Sequence, residues 1–233
     1  MKAVLLAAGL GTRLRPLTDR TPKCLVRVGG ETLLDIWLDA LAAVGVDEVL
    51  VNLHHLANQV RAHVVARSGA PLVHLVQEHQ LLGSAGTLRA NREFVAGEEL
   101  FLAVNVDNLT DFDLRTLVDG HRSGGAIATL TTFRAACPRE CGIVEVKDGQ
   151  VVSFVEKPAE PQGDQANAGM YAFHPDVLEE VPEQLPCDVG FDLLPRLVGR
   201  ARAVSIGDCF FLDIGTPASL ERAREEWKGR VAS

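Results

Sequence analysis

A short apolar run, Ala3-Val4-Leu5-Leu6-Ala7-Ala8, leads at the start of the chain into Gly9-Leu10-Gly11-Thr12-Arg13-Leu14-Arg15-Pro16-Leu17-Thr18 and then Pro22-Lys23. The apolar run reads as a buried first strand. A glycine-rich turn straight after such a strand lets backbone N–H groups come close to a phosphate, where side chains would obstruct the approach. Arg13, Arg15 and Lys23 add the positive charge that a polyphosphate needs. Two familiar phosphate motifs do not fit. The Walker pattern is absent, and the dinucleotide fingerprint wants a third glycine where Leu14 stands, which counts against an NAD-dependent oxidoreductase.

Apolar periodicity extends this start into an α/β pattern. Leu34, Trp37, Leu38 and Leu41 recur at helical spacing and stop at Gly45. Strands are predicted over 48–53, 71–76, 100–104 and 126–132, with helices over 57–66, from about Gly83, and over 113–121. The alternation predicts a Rossmann-like, doubly wound sheet, mixed but mainly parallel. Further on the pattern turns β-rich. Segments 142–146 and 151–155 flank Asp148-Gly149, a strong hairpin pair, and another strand covers 169–173. Helices are expected over 175–181 and 191–198, a strand over 210–214, and a closing helix over 217–227. No repeat or long linker interrupts the chain, so residues 1–233 read as one domain whose second half adds a small β-rich lobe.

With 233 residues and 47% hydrophobic content, the chain can fill one sizeable core. A net charge of −8 argues against nucleic acid or an acidic membrane surface as a partner, and makes the basic cluster at 13–23 a local patch. No apolar stretch approaches the ~18 residues of a spanning helix, and Met1-Lys2 runs straight into a strand rather than a cleavable leader. A cytoplasmic location with no membrane partner is therefore expected. Cys24, Cys137, Cys141, Cys187 and Cys209 are odd in number and lack a C-x-x-C pair, which points to reduced thiols and no zinc. Cys24 is expected as a small buried hydrophobe rather than a nucleophile.

In open parallel sheets, ligands bind beyond the carboxyl ends of the strands. Asp107, in Asn105-Val106-Asp107-Asn108-Leu109-Thr110-Asp111, stands at such an end, where a carboxylate suits a hard divalent cation bridging phosphate oxygens. Asp213, in Phe210-Phe211-Leu212-Asp213-Ile214-Gly215-Thr216-Pro217, sits where a strand gives way to the last helix. Lys157, in Phe154-Val155-Glu156-Lys157-Pro158, closes a hairpin strand and is a natural partner for a monophosphate. Together with the N-terminal string, these segments resemble the sugar-1-phosphate nucleotidyltransferases, most closely the mannose-1-phosphate guanylyltransferase branch. The resemblance runs from Lys2 to about Trp227.

That resemblance implies a glycosyltransferase-A-like fold, with residues 1–133 mainly binding nucleotide and 134–233 mainly binding sugar phosphate. A further C-terminal β-helix, carried by many relatives, is not expected. Leu6, Ala7, Ala8, Gly9, Gly11 and Thr12 would line the nucleotide, Arg13 and Lys23 would be catalytic, and Asp107 and Asp213 would hold Mg²⁺. Gly142, Glu156, Lys157 and Asn167 (the last within Asn167-Ala168-Gly169) would bind the sugar phosphate. Val106 and Phe211 replace the family's glycine and tryptophan. The implied reaction joins a nucleoside triphosphate to a sugar-1-phosphate and releases pyrophosphate, with positioning and charge neutralisation dominating.

The segment from Gln77 to Gly86 resembles the family's base-reading loop, with Glu78 and Gly83 in it. A carboxylate at Glu78 favours the guanine of GTP, whereas Gln77, one residue away, suits the uridylyl- and thymidylyltransferases. Mannose-, heptose- or related hexose and cyclitol phosphates stay open as substrates, as do a homo-oligomer and a catalytically silent nucleotide-sugar-binding homologue.

Overall fold

The computed structural model describes residues 1–227. In chain order the elements are β1 (Lys2–Leu6), β2 (Arg27–Val28), β3 (Glu31–Thr32), α1 (Leu33–Ala43), β4 (Glu48–Leu53), α2 (Ala57–Ala66), β5 (Leu72–Gln77), α3 (Ser84–Ala90), α4 (Arg92–Val95), β6 (Phe101–Asn105), β7 (Asn108–Thr110), α5 (Leu114–Gly124), β8 (Ala128–Arg134), β9 (Gly142–Lys147), β10 (Gln150–Glu156), β11 (Gln165–Phe173), β12 (Ala201–Ser205), β13 (Phe211–Asp213) and α6 (Pro217–Glu226). They form a mixed α/β fold in two compact units, neither continuous in sequence. The first contains residues 1–81, 104–113 and 209 onward, and the second 82–103 and 114–208.

In the first unit, β1, β4 and β5 are parallel neighbours, with Lys2 opposite Glu48 and Leu53 opposite Gln77. Val4, Val49, Leu50 and Val51 are buried, as strands covered on both faces require. Helix α1 presents Leu34, Trp37, Leu38 and Leu41 to the core. It starts at Thr32, whose hydroxyl oxygen accepts from the Asp35 N–H at 3.1 Å. The strand expected over 210–214 is β13, and it pairs antiparallel with β7, which is only three residues long and was not legible as a strand. One apolar cluster ties this unit together: Leu14, Val26, Val28, Leu33, Leu109, Phe210, Ile214, Leu220, Ala223 and Trp227. Helix α6 enters it through a capping box, in which Thr216 and Ser219 each accept from the other's backbone N–H.

The second unit has mixed pairing. Strand β8 runs antiparallel to β11 and parallel to β12, β12 is antiparallel to β10, and β10 makes the expected hairpin with β9. Asp148 and Gly149, both at positive φ (51° and 77°), make the hairpin turn. Strand β12 went unread because Ala201–Ser205 lacks a clear apolar alternation. The two helices expected over 175–181 and 191–198 are corrected to tighter and wider turns. Pro175–Glu180 is 3₁₀, Val189–Leu193 is a single π-type turn, and Leu194–Leu197 is 3₁₀ again. Pro195, with no N–H to donate, prevents an α-helix from running through the last of these.

Candidate active site

In the first unit, four charged side chains lie beside residues of the apolar cluster. Arg13 precedes Leu14, Lys23 is three residues before Val26, Asp107 is two before Leu109, and Asp213 precedes Ile214. Packing of those apolar neighbours gathers charges from three remote stretches of chain. The β7–β13 ladder sets Asp213 opposite Asn108, and the Ile214 N–H donates to the Asp107 carbonyl at 2.8 Å. Asp213, at the end of β13, thus adjoins Asp107, the residue that immediately precedes β7.

Each acid is paired with one of the cations expected to meet phosphate. Lys23 Nζ lies 2.5 Å from Asp107 Oδ2, with the lysine side chain 9% exposed and the aspartate 31%. Arg13 Nη2 lies 3.9 Å from Asp213 Oδ2, and both of these side chains are more than half exposed. Gly215 makes room for the second pair: a Cβ there would lie 2.7 Å from Arg13 Nη2 and 2.8 Å from Asp213 Oδ1. Val106, the departure from the family pattern, is buried with its N–H on the Leu6 carbonyl.

The glycine loop leaves β1 with Ala8 buried and Gly9, Leu10, Thr12 and Arg13 exposed. Gly11 takes a left-handed conformation (φ 61°), and a Cβ on it would strike the Thr18 methyl group. Thr18 Oγ1 donates to the Gly11 carbonyl at 2.7 Å. A Cβ on Gly9, by contrast, would touch nothing in the chain. Its bare backbone leaves an open approach, as a phosphate cradle requires. Cys24 is buried, and burial, partly offset by a backbone hydrogen bond, pushes its thiol up to about 12. That holds it as an inert, protonated core residue.

Glu78 is only 5% exposed. Its Oε1 accepts from Asn52 Nδ2 at 2.8 Å, and Asn52 Oδ1 accepts from the Ala7 N–H at 2.6 Å. Asn52 therefore joins the end of β4 to both the first loop and Glu78, a role sequence reading missed. The signal available was a polar residue inside an otherwise apolar strand. Gln77 is exposed, and its Oε1 accepts from Arg61 at 3.1 Å.

In the second unit, Gly83 (φ 78°) owes its identity to chain packing, since a Cβ would collide with the Cys187 carbonyl. Ala85 and Gly86 donate their N–H groups to that carbonyl at 3.1 Å each, closing the first turn of α3. Gly142 stands opposite Glu156 in the β9–β10 hairpin. A Cβ on Gly142 or on Gly190 would run into Glu156 Oε2, so the carboxylate is seated against two bare backbones. Burial pushes the Glu156 carboxyl up, Lys157 opposes that shift and Asp188 adds to it. Lys157 is exposed at φ 47°, its N–H bonded to the Cys141 carbonyl at 3.0 Å, and its Nζ lies over the Phe191 ring. Asn167 Nδ2 donates to the Tyr171 hydroxyl at 2.7 Å and Oδ1 accepts from the Gly169 N–H at 3.1 Å, across a break in the β8–β11 register. Phe191 was not singled out in the sequence.

Among the described residues, no three His, Cys, Asp or Glu side chains converge as a metal cluster. The adjoining Asp107 and Asp213 offer carboxylate oxygens, the donor type that a hard divalent cation takes. No helix among the described residues is long and apolar enough to cross a membrane.

A mixed α/β fold whose first strand feeds a bare glycine loop defines a class of phosphate-handling proteins. Within it, this chain belongs to the nucleotidyl transferase family, whose model matches residues 2–229. It is similar to a UTP–glucose-1-phosphate uridylyltransferase of Synechocystis, 35% identical over 85% of this chain and 55% of that one. It is also similar to a mannose-1-phosphate guanylyltransferase catalytic subunit beta of Drosophila pseudoobscura pseudoobscura, 33% identical over 93% of this chain and 59% of that one. The chain thus spans little more than half the length of these relatives. Among solved structures it resembles a putative glucose-1-phosphate thymidylyltransferase of Bacillus anthracis (TM-score 0.84, 22% identity, 98% and 96% of the two chains). It likewise resembles HddC of Yersinia pseudotuberculosis complexed with GMP-PN (TM-score 0.80, 25% identity, 97% and 99%). These likenesses give the fold as glycosyltransferase-A-like.

Proposed function

We propose that this protein transfers a nucleotidyl group from a nucleoside triphosphate to a sugar-1-phosphate. A phosphate oxygen of the sugar-1-phosphate attacks the α-phosphorus, the bond from that phosphorus to the bridging oxygen breaks, and pyrophosphate leaves with the electron pair. The observation that carries this reading is the crossed pairing of Lys23 with Asp107 and Arg13 with Asp213. Two cations and two acids stand together as a polyphosphate and its counter-ion would need them. Both reactants are anions, so neutralising and orienting them is the main barrier.

Arg13 serves the departing pyrophosphate and Lys23 the α-phosphoryl oxygens. Gly9 and Gly11, with Leu6, Ala7, Ala8 and Thr12, carry the backbone that lies along the nucleotide. Asp107 and Asp213 would hold Mg²⁺, which would supply positive charge against the negative charge of the phosphates. Lys157 receives the monophosphate of the incoming sugar, and Glu156 and Asn167 meet its hydroxyls. Gly142 supports Glu156 rather than the sugar itself, because the carboxylate lies where its side chain would be.

GTP is the favoured nucleotide on the strength of the Glu78 carboxylate and of the guanylyltransferase relatives. One observation favours UTP or TTP instead: Asn52 already occupies Glu78 Oε1, while Gln77 is exposed. The test is a matrix of nucleoside triphosphates against hexose, heptose and cyclitol 1-phosphates, read by Mg²⁺-dependent pyrophosphate release. Turnover with one pair, highest for GTP, is the expected result. Nucleotide binding with no turnover for any pair would make the chain a silent homologue and remove the enzymatic reading.

A further inference from the structure

Phe191 is the one phenylalanine among the large hydrophobics left exposed in the described chain, at 57%. Its exposure does not come from a loose loop. It lies in the π-type turn Val189–Leu193, and such turns recur at functional sites. Both ends of that turn are fastened. The Asp192 and Leu193 N–H groups donate to the Asp188 carbonyl at 2.9 and 3.2 Å, and Asp192 Oδ2 accepts from the Asp188 N–H at 2.7 Å. Ser84 Oγ accepts from the Val189 N–H at 2.8 Å. Gly190, just before the ring, lets the turn press against Glu156 Oε2. The aromatic is held out rigidly beside Glu156-Lys157, and Lys157 Nζ sits 5.7 Å from its ring centroid.

Lys157 needs such a fixture. Its backbone is held in a left-handed conformation by the bond to Cys141, which sets where the side chain starts but not where its ammonium ends. A lysine's four-carbon stem loses considerable rotamer freedom when its charge is localised. A ring face attracts the ammonium through its quadrupole and leaves the outward N–H groups available to an anion.

We propose that Phe191 is a positioning residue for the sugar-phosphate subsite: its ring face pre-places the Lys157 ammonium for the incoming monophosphate. The proposal rests on the assignment of Lys157 above and extends it to a residue that makes no polar contact of its own. An aliphatic side chain of similar bulk would fill the same space without the electrostatic hold. The ring's contribution therefore belongs in sugar-phosphate affinity, not in folding or nucleotide affinity.

The test compares Phe191→Leu with Phe191→Trp. Leucine should raise KM for the sugar-1-phosphate about threefold, the scale of an exposed cation–π contact, with kcat and nucleotide KM unchanged. Tryptophan should restore the low KM. In a Lys157→Ala background the leucine substitution should have no further effect on kcat/KM. A leucine effect of equal size in that background, or failure of tryptophan to rescue, would reduce Phe191 to packing and overturn the proposal. A second readout stands apart from turnover. The Lys157 ε-methylene should show an upfield ring-current shift in NMR spectra that vanishes in Phe191→Leu, and inorganic phosphate should bind that variant more weakly than the parent. Absence of the shift sinks the proposal even if the transferase reading holds. Its presence with no turnover for any substrate pair leaves the contact standing and removes the transferase reading instead.

Discussion

Lys23 shows how one side chain can serve both halves of a charge problem. Its side chain is almost wholly buried and faces a partly exposed carboxylate, so the pair is charge-assisted and short. Removing the charge while keeping the stem leaves Asp107 without its cation at the point where we propose that the α-phosphate is received. Lys23→Met is therefore expected to lower turnover about a hundredfold or more, the usual scale for losing a preorganised donor at developing charge. Pyrophosphate release measures this, with a thermal melt to show that the fold is kept; turnover near the parent's would take Lys23 out of the site. Residue chemistry of this kind was partly legible beforehand. Glycine after a strand, a lysine after proline and acids at strand ends each carry a physical reason. Asn52 showed only as a polar residue in an apolar strand, and Gly190, Gly215 and Phe191 were not legible, because their roles depend on what lies against them in space.

Helix α1 owes much of its anchoring to one carboxylate. Asp35 accepts from Thr32 Oγ1 at 2.7 Å, faces His63 Nε2 at 2.9 Å from α2, and lies 3.4 Å from Arg67 Nε. Burial works to raise its pKa, but the bonds to Thr32 and His63 and the charges of His63 and Arg67 together pull it below the ordinary value. A lowered carboxylate pKa means that the unfolded chain holds its proton more tightly than the folded one. The resulting stability is complete above the unfolded value of about 3.9 and is lost as pH falls through the lower folded value. Asp35→Asn should destabilise the protein by about 1–2 kcal/mol at neutral pH. The difference between parent and variant should shrink as pH drops from about 5 to 3. Urea titrations at several pH values check this; a pH-independent difference would mean that the contact acts through packing alone. Long periodic elements such as α1 and β4 could be read from sequence because they repeat one pattern over many residues. The three-residue β7 could not, since it exists only as the partner of β13.

Over the whole molecule, chain order and structural grouping diverge. The first unit takes its last strand and helix from residues beyond 208, so Leu220, Ala223 and Trp227 complete a core begun by Leu14 and Val26. A fragment ending at residue 133 would lack β13, α6 and Asp213, and its complement would lack β8, which pairs with both β11 and β12. Expressed separately, fragments 1–133 and 134–233 are expected to stay without a cooperative thermal transition or dispersed amide spectra. A folded 1–133 fragment would show that the closing segment is dispensable to the core.

Taken alone, the amino-acid order determined the alternation of strands and helices, the hairpin at Asp148-Gly149, and the kinds of side chain available for phosphate chemistry. These follow from local backbone preference and from the spacing of apolar residues, which neighbouring positions decide. Only the tertiary structure decided that Asp107 and Asp213 adjoin, that each is paired with a particular cation, and that Phe191 stands over Lys157. Those facts arise when remote segments bury their apolar neighbours against one another, and no local pattern encodes which remote segment will be met.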